Sequence, residues 1–275
     1  WFDDKLVDLS KLILDKENLG SDNNPDLFFI GFSAMDYVIH DYGPFSQETM
    51  DYLIRLDMQL NELISHIDNT IGLEHVEFVL TSDHGGLPLP EFLPQLNLTG
   101  GRINRDNLRE AYDWIDDEIS EYYGENLFYK DFTNYYLYHD KLKKKNIEAS
   151  DLENIIKKYL GMVEGVKAVL SKTEIINSKK TDNVSLRLKN MVHVEQSADV
   201  FVILEPGYLY KNPYGTSHGS PYDYDAHVPL LFVKKGRPKT EITVQAETVD
   251  IAPTILNLLN IKTDYPFDGK VLEVQ

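Results

Sequence analysis

Three groups of residues in this 275-residue chain have the types and spacing to grip a cation. Asp36 and His40 stand four apart, so on a helix both side chains project from one face and reach one ion. Alone, Asp-x3-His is a weak signal, because most such pairs are chance neighbours on a surface. Its place just after an apolar run strengthens it. Asp83 and His84 are adjacent and are followed by Gly85 and Gly86. Neighbours on a strand point to opposite faces, so these two can serve one ion only where the backbone has turned out of the strand, which the glycines permit. A plain strand exit with a capping Asp explains the pair equally well. His218 lies in the loop Gly215-Thr216-Ser217-His218-Gly219-Ser220, where core packing explains an imidazole poorly. His227 is its rival; it precedes a strand and reads as packing or hydrogen-bonding beneath the site. His66, His75, His139 and His193 have no acidic partner at metal-like spacing and read as surface or packing residues.

Together these are five nitrogen and oxygen donors at the ends of consecutive strands, a set that suits Zn²⁺. The chain has no Cys, which excludes disulfides, thiolate zinc fingers, iron–sulfur clusters and cysteine nucleophiles. Any metal site must be built from His, Asp and Glu.

The elements that would carry these donors read as an α/β pattern. Leu6, Leu9, Leu12 and Ile13 mark a first, polar helix. The apolar run Leu27–Phe32, bounded by Pro25, reads as a buried strand. Residues 46–70 form the clearest helix: Ser46 caps it, and Leu53, Leu56, Leu60, Leu63 and Ile67 make one stripe. A second strand covers 75–81. Two strands joined by a long helix argue for parallel pairing, with chemistry gathered outside the carboxyl ends. The pattern resumes with strands at 198–204 and 228–233 and a last helix at 248–259, capped near Asp250. The expected fold is therefore α/β, a mostly parallel sheet flanked by helices, holding 27–32, 76–81, 200–204 and 228–233. Residues 1–90 and 196–275 would form this core.

Residues 91–195 read as an inserted, smaller α+β subdomain. They are rich in Tyr, with a helix marked by Leu152, Ile155, Ile156, Tyr159 and Leu160 and a strand at 166–170. The four lysines between Lys141 and Lys145 read as a solvated helix face.

Asp plus Glu number 45 against 27 Lys plus Arg, a net charge of −18. Such a surface repels a polyanion, which argues against nucleic acid as a partner. No apolar run approaches the roughly 18–20 residues of a transmembrane segment. The chain opens on Trp1, not Met, and shows no signal peptide.

Three runs, in this order, resemble the alkaline phosphatase superfamily: Asp36-Tyr37-Val38-Ile39-His40-Asp41-Tyr42-Gly43-Pro44, then Thr81-Ser82-Asp83-His84-Gly85, then Gly215–Ser220 continuing through Pro221-Tyr222-Asp223-Tyr224-Asp225-Ala226-His227-Val228-Pro229. The nearest branch is that of the PafA-type alkaline phosphatases and the nucleotide pyrophosphatase/phosphodiesterases. Val249–Ile255 near the end is similar too.

The resemblance implies that Asp36, His40 and His218 hold a first zinc, and that Asp83 and His84 supply two ligands of a second. It also implies two zinc ions per complete site and hydrolysis of phosphate monoesters through a phosphoryl-enzyme. The Thr or Ser nucleophile, a further Asp ligand and the phosphate-holding groups would lie upstream of Trp1. The chain thus resembles the C-terminal part of such a catalytic domain, with an incomplete second site, no catalytic nucleophile of its own and an exposed sheet edge suited to self-association. Thr81 and Thr216 do not match the nucleophile motif. The resemblance further implies a small phosphate ester as substrate and a periplasmic or other extracytoplasmic location. Two alternatives stand beside it: a phosphodiesterase or nucleotide pyrophosphatase using the same ions, and a catalytically silent binding or scaffold domain.

Overall fold

The computed structural model describes residues 2–131, 133–210 and 213–274. Its elements, in chain order, begin with helices α1 (Phe2–Lys16), α2 (Ala34–Tyr42) and α3 (Gln47–Thr70) and strand β1 (Glu77–Thr81). Then come β2 (Gly101–Arg102), α4 (Arg105–Tyr123), β3 (Phe128–Asp131), β4 (Asn134–Leu137), α5 (His139–Lys145), α6 (Ala149–Leu160), β5 (Val166–Ser171), α7 (Lys172–Ile176) and α8 (Asn183–Met191). The chain continues with β6 (Val200–Leu204), β7 (Tyr208–Leu209), α9 (Asp223–Ala226), β8 (Leu230–Lys234) and α10 (Ile251–Leu258). None of the described helices is long and apolar enough to cross a membrane. The chain divides into two compact units: Trp1–Ala34, Leu53–Ser82 and Pro229–Gln275 in one, Met35–Tyr52 and Asp83–Val228 in the other.

In the first unit, β1 and β8 pair antiparallel, with Val79 opposite Phe232. The core gathers Val7 and Leu14 of α1 with Leu63 and Ile67 of α3, flanked by Phe28, Ile30, Phe32 and Phe78. Helix α1 therefore buries Asp3, Val7, Ser10 and Leu14, while Leu9 and Leu12 of the expected stripe lie exposed. Both stripes have helical spacing; the one that meets the Leu63–Ile67 end of α3 is the one buried. The stripe of α3 is likewise buried only toward its C-terminal end, and Leu53 is exposed. Its start is as expected, with Ser46 Oγ accepting the Thr49 N–H at 3.1 Å. Asp250, by contrast, does not cap α10. Its carboxylate accepts from the Glu247 and Lys270 N–H groups and so ties the segment before the helix to the chain after it.

In the second unit, four strands form an antiparallel sheet in the order β3-β4-β6-β5. Helices α4 and α6 cover it with Leu108, Ile115, Ile119, Leu152, Ile156 and Leu160. Helix α4 is bounded by Asn104, whose side chain accepts from Asp106 and Asn107, and by Gly124 at φ +78°. The buried set on α6 follows the expected stripe.

The sheet expectation needs correction at three points. Residues 27–32 form no strand among the described residues. Phe28, Ile30 and Phe32 pack inward while Leu27 and Phe29 are exposed, so the segment alternates like a strand but pairs with no neighbouring ladder. Residues 200–204 belong to the four-stranded antiparallel sheet, not to a sheet with 77–81. Residues 77–81 and 230–234 do pair, but antiparallel; the only parallel pairing among the described residues is the short β2–β7 contact. An apolar run fixes neither that both faces of a segment are buried nor which neighbour supplies its ladder.

Candidate metal centre

All five predicted donors fall within the second unit, on three separate segments. Helix α2 carries Asp36 in its first turn and His40 one turn later, and the two meet at 3.5 Å, His40 Nε2 to Asp36 Oδ2. The chain leaves β1 at Thr81, and Asp83 lies in a bend beyond it. With the backbone out of the strand, Asp83 and His84 reach the same side, 3.5 Å apart from Oδ2 to Nε2. His218 comes from the loop after β7, its Nε2 3.5 Å from the other Asp36 oxygen, Oδ1. His84 Nε2 lies 3.9 Å from that same oxygen, and the His84 and His218 rings stack with centroids 3.4 Å apart. His227 is exposed at the end of α9 and takes no place in this cluster. His66 and His139 pair instead with distant carboxylates, Asp15 and Asp199.

Main-chain carbonyls orient two of the imidazoles. His40 Nδ1 lies 2.8 Å from Thr216 O, and His84 Nδ1 lies 2.8 Å from Gly85 O. A carbonyl can only accept, so each Nδ1 carries a proton, which leaves Nε2 as the nitrogen available to an ion. This arrangement is typical of histidines that bind metal. Thr216 is the hub of the support: its N–H donates to His40 O at 2.8 Å and its hydroxyl to Leu87 O at 2.7 Å. Arg102 Nη2 steadies the preceding residue by donating to Gly215 O at 2.9 Å. The sequence marked Thr216 as a hydroxyl near a ligand but could not show that it clasps the other two ligand segments. The N–H groups of Gly85 and Gly86 donate to Asp225 O and Tyr224 O. A side chain at Gly85 would meet Tyr224 O at 2.1 Å, so close approach requires glycine there.

The donor set fits a divalent ion. One ligand atom each from Asp36, His40 and His218 lies within 4.8 Å of the others. Separations of 3.5 Å are long for a good N–H···O hydrogen bond. They match the edge of about 3.3 Å expected between ligands at about 2.0–2.1 Å in a tetrahedral zinc site. Burial, with His84 and His40 alongside, lowers the His218 pKa against the opposing pull of Asp36. The neutral imidazole is the form that binds metal. A carboxylate and three imidazoles facing one another, on segments tied together by main-chain hydrogen bonds, are a donor set of the kind that hydrolytic metal sites use.

Comparison with known proteins gives the same class. The family model for type I phosphodiesterase / nucleotide pyrophosphatase matches residues 1–228. Alkaline phosphatase PafA of Elizabethkingia meningoseptica is 27% identical over 259 residues, covering 93% of this chain and 47% of the relative. A protein of Myroides odoratus named calcium-transporting ATPase is 28% identical over 264 residues, covering 93% of this chain and 47% of its own length. The crystal structure of wild-type alkaline phosphatase PafA superposes with a TM-score of 0.85 at 26% identity, covering 97% of this chain and 51% of that one. The chain therefore belongs to the type I phosphodiesterase / nucleotide pyrophosphatase family, within the alkaline phosphatase superfamily of phosphoric ester hydrolases, and has the alkaline-phosphatase fold. It spans about half the length of the curated relatives it matches.

Proposed function

We propose that the chain supplies the metal-binding part of a phosphoric ester hydrolase active site, and that the whole protein hydrolyses phosphate monoesters with two zinc ions through a phosphoryl-enzyme. The observation that carries this reading is the convergence of Asp36, His40 and His218 at ligand separations. In this reading these three hold the first zinc, while Asp83 and His84 contribute to the second. When bound, such a pair of ions stabilises charge on the attacking and leaving oxygens of an in-line displacement at phosphorus.

The chain's own residues do the positioning. Asp36 offers one oxygen toward His40 and the other toward His218 and thus sets the centre of the cluster. Thr216 and Gly85 hold the His40 and His84 protons on Nδ1. The two hydroxyls that do not match the nucleophile motif make contacts of their own. Thr216 is fully buried and donates to Leu87 O, and Thr81 Oγ faces Ser82 O. The buried Thr216 hydroxyl is thus committed elsewhere, in keeping with a nucleophile supplied from outside these residues in a complete site.

The test is turnover by the whole protein of a phosphate monoester and a phosphate diester, with zinc and after chelation. The reading predicts faster monoester cleavage that needs zinc and is lost in Asp36→Ala. Preference for the diester would transfer the site to the phosphodiesterase branch of the same family. No turnover and no bound zinc would favour a silent binding domain.

A further inference from the structure

Asp225 is buried, 4% exposed, yet only half of its carboxylate is used. Oδ2 accepts from both the Ser220 N–H at 2.7 Å and the Ser220 hydroxyl at 2.5 Å. Oδ1 is buried with no hydrogen-bond partner. A carboxyl oxygen removed from water with no hydrogen-bond partner is costly, and native proteins rarely leave one without a reason. The same residue binds the turn carrying His84 through its main chain, since Asp225 O accepts the Gly85 N–H at 2.7 Å. Asp225 thus spans two of the three ligand segments, fastened to Ser220 two residues after His218 and to Gly85 one residue after His84.

The three imidazoles of the cluster are not equally supported. His40 and His84 each have an acceptor for Nδ1–H at 2.8 Å. His218 directs Nε2 to Asp36, and among the described residues its Nδ1 has no such acceptor. A metal-bound histidine almost always donates its second N–H to a carboxylate, carbonyl or water. A ring nitrogen without an acceptor and a buried oxygen without a donor therefore occur seven residues apart, in the loop of His218 and in the α9 helix that follows it.

We propose that Asp225 is a positioning residue for His218, its Oδ1 accepting the His218 Nδ1–H when Nε2 is committed to an ion. This rests on the metal-site reading above. It makes Asp225 the carboxylate that sets the tautomer and basicity of the third imidazole, the part that Thr216 O and Gly85 O play for the other two.

The test uses the 275-residue chain with Co²⁺ and Zn²⁺ as probes. Visible absorption of the Co²⁺-loaded chain reports ligand field, competition against a chelator reports affinity, and circular dichroism of the metal-free chain reports folding. Asp225→Asn should lower Zn²⁺ affinity about 10–100-fold and shift the Co²⁺ bands. Ser220→Ala, which keeps the carboxylate, should change affinity less than about 3-fold. A merely structural role would lower the melting temperature without moving the Co²⁺ bands of the folded protein. Should Asp225→Asn fail to fold, the histidine ring ¹⁵N spectrum of the Zn²⁺-loaded wild-type chain decides. His218 bound through Nε2, with an Nδ1–H protected from exchange and shifted downfield, supports the proposal. Unchanged affinity and bands in folded Asp225→Asn, or a freely exchanging His218 Nδ1–H, overturns it. A wild-type chain that binds neither ion would overturn the metal-site reading as well, so the two failures are distinct.

Discussion

The cluster depends on single main-chain hydrogen bonds that decide which nitrogen of each imidazole is presented. Thr216 is the residue whose loss should be felt most widely, because it touches both α2 and the chain at Leu87. Thr216→Val removes the hydroxyl donor and leaves Leu87 O buried without it. A cost of about 1–3 kcal/mol is expected in urea unfolding, together with weaker zinc binding in a chelator competition. Asp199 plays a comparable structural part away from the site. Burial pushes its carboxyl pKa up, but the Leu137 N–H, Lys172 and His139 outweigh that and hold it below the usual range. A depressed carboxylate contributes stability above its unfolded pKa of about 3.9, and that contribution is lost as pH falls through the folded value. Asp199→Asn should therefore cost roughly 1.5–3 kcal/mol at pH 7. The gap from wild type should close in thermal melts as pH drops below about 4. An undiminished gap in acid would refute this assignment.

Elements were legible where their own residues decide them. The cap at Ser46, the stripe on α6 and the strand β5 follow from local spacing, and all three are in the structure. The five candidate donors came from short motifs that are each weak alone and gain meaning from their order along the chain; the structure brings these side chains near one another. What could not be read were choices made by distant neighbours. The buried face of α1 is set by α3, the ladder of β6 by β4 and β5, and the support of His40 by a carbonyl 176 residues away. The same logic predicts the two ends of mutational sensitivity. Ile156→Ala, in the fully buried face of α6, should cost about 2–5 kcal/mol in denaturant unfolding. Gly85→Ala should act on the site itself. Its Cβ would strike the Tyr224 carbonyl at 2.1 Å, so the turn must shift and carry His84 with it. Zinc affinity should fall about 10–100-fold by chelator competition; an unchanged affinity would show that this turn does not orient His84.

At the scale of the whole molecule, a net charge of −18 disfavours the approach of any phosphate ester. Attraction must then be local, which is the part divalent ions at the cluster would play. The Thr216 hydroxyl is buried and committed to Leu87 O, and Thr81 does not match the nucleophile motif. The zinc-loaded 275-residue chain should accordingly release phosphate from an aryl phosphate monoester at no more than background rate. Robust turnover abolished by Asp36→Ala would mean that one of its own hydroxyls attacks. All of this depends on one claim, that Asp36, His40 and His218 together hold a metal ion. Anomalous diffraction at the zinc absorption edge, from crystals of the chain grown with Zn²⁺, tests it directly. The expected result is a strong peak about 2.0–2.2 Å from an Asp36 oxygen and from Nε2 of both His40 and His218. No peak at saturating zinc, or a peak that His218 does not touch, would contradict it.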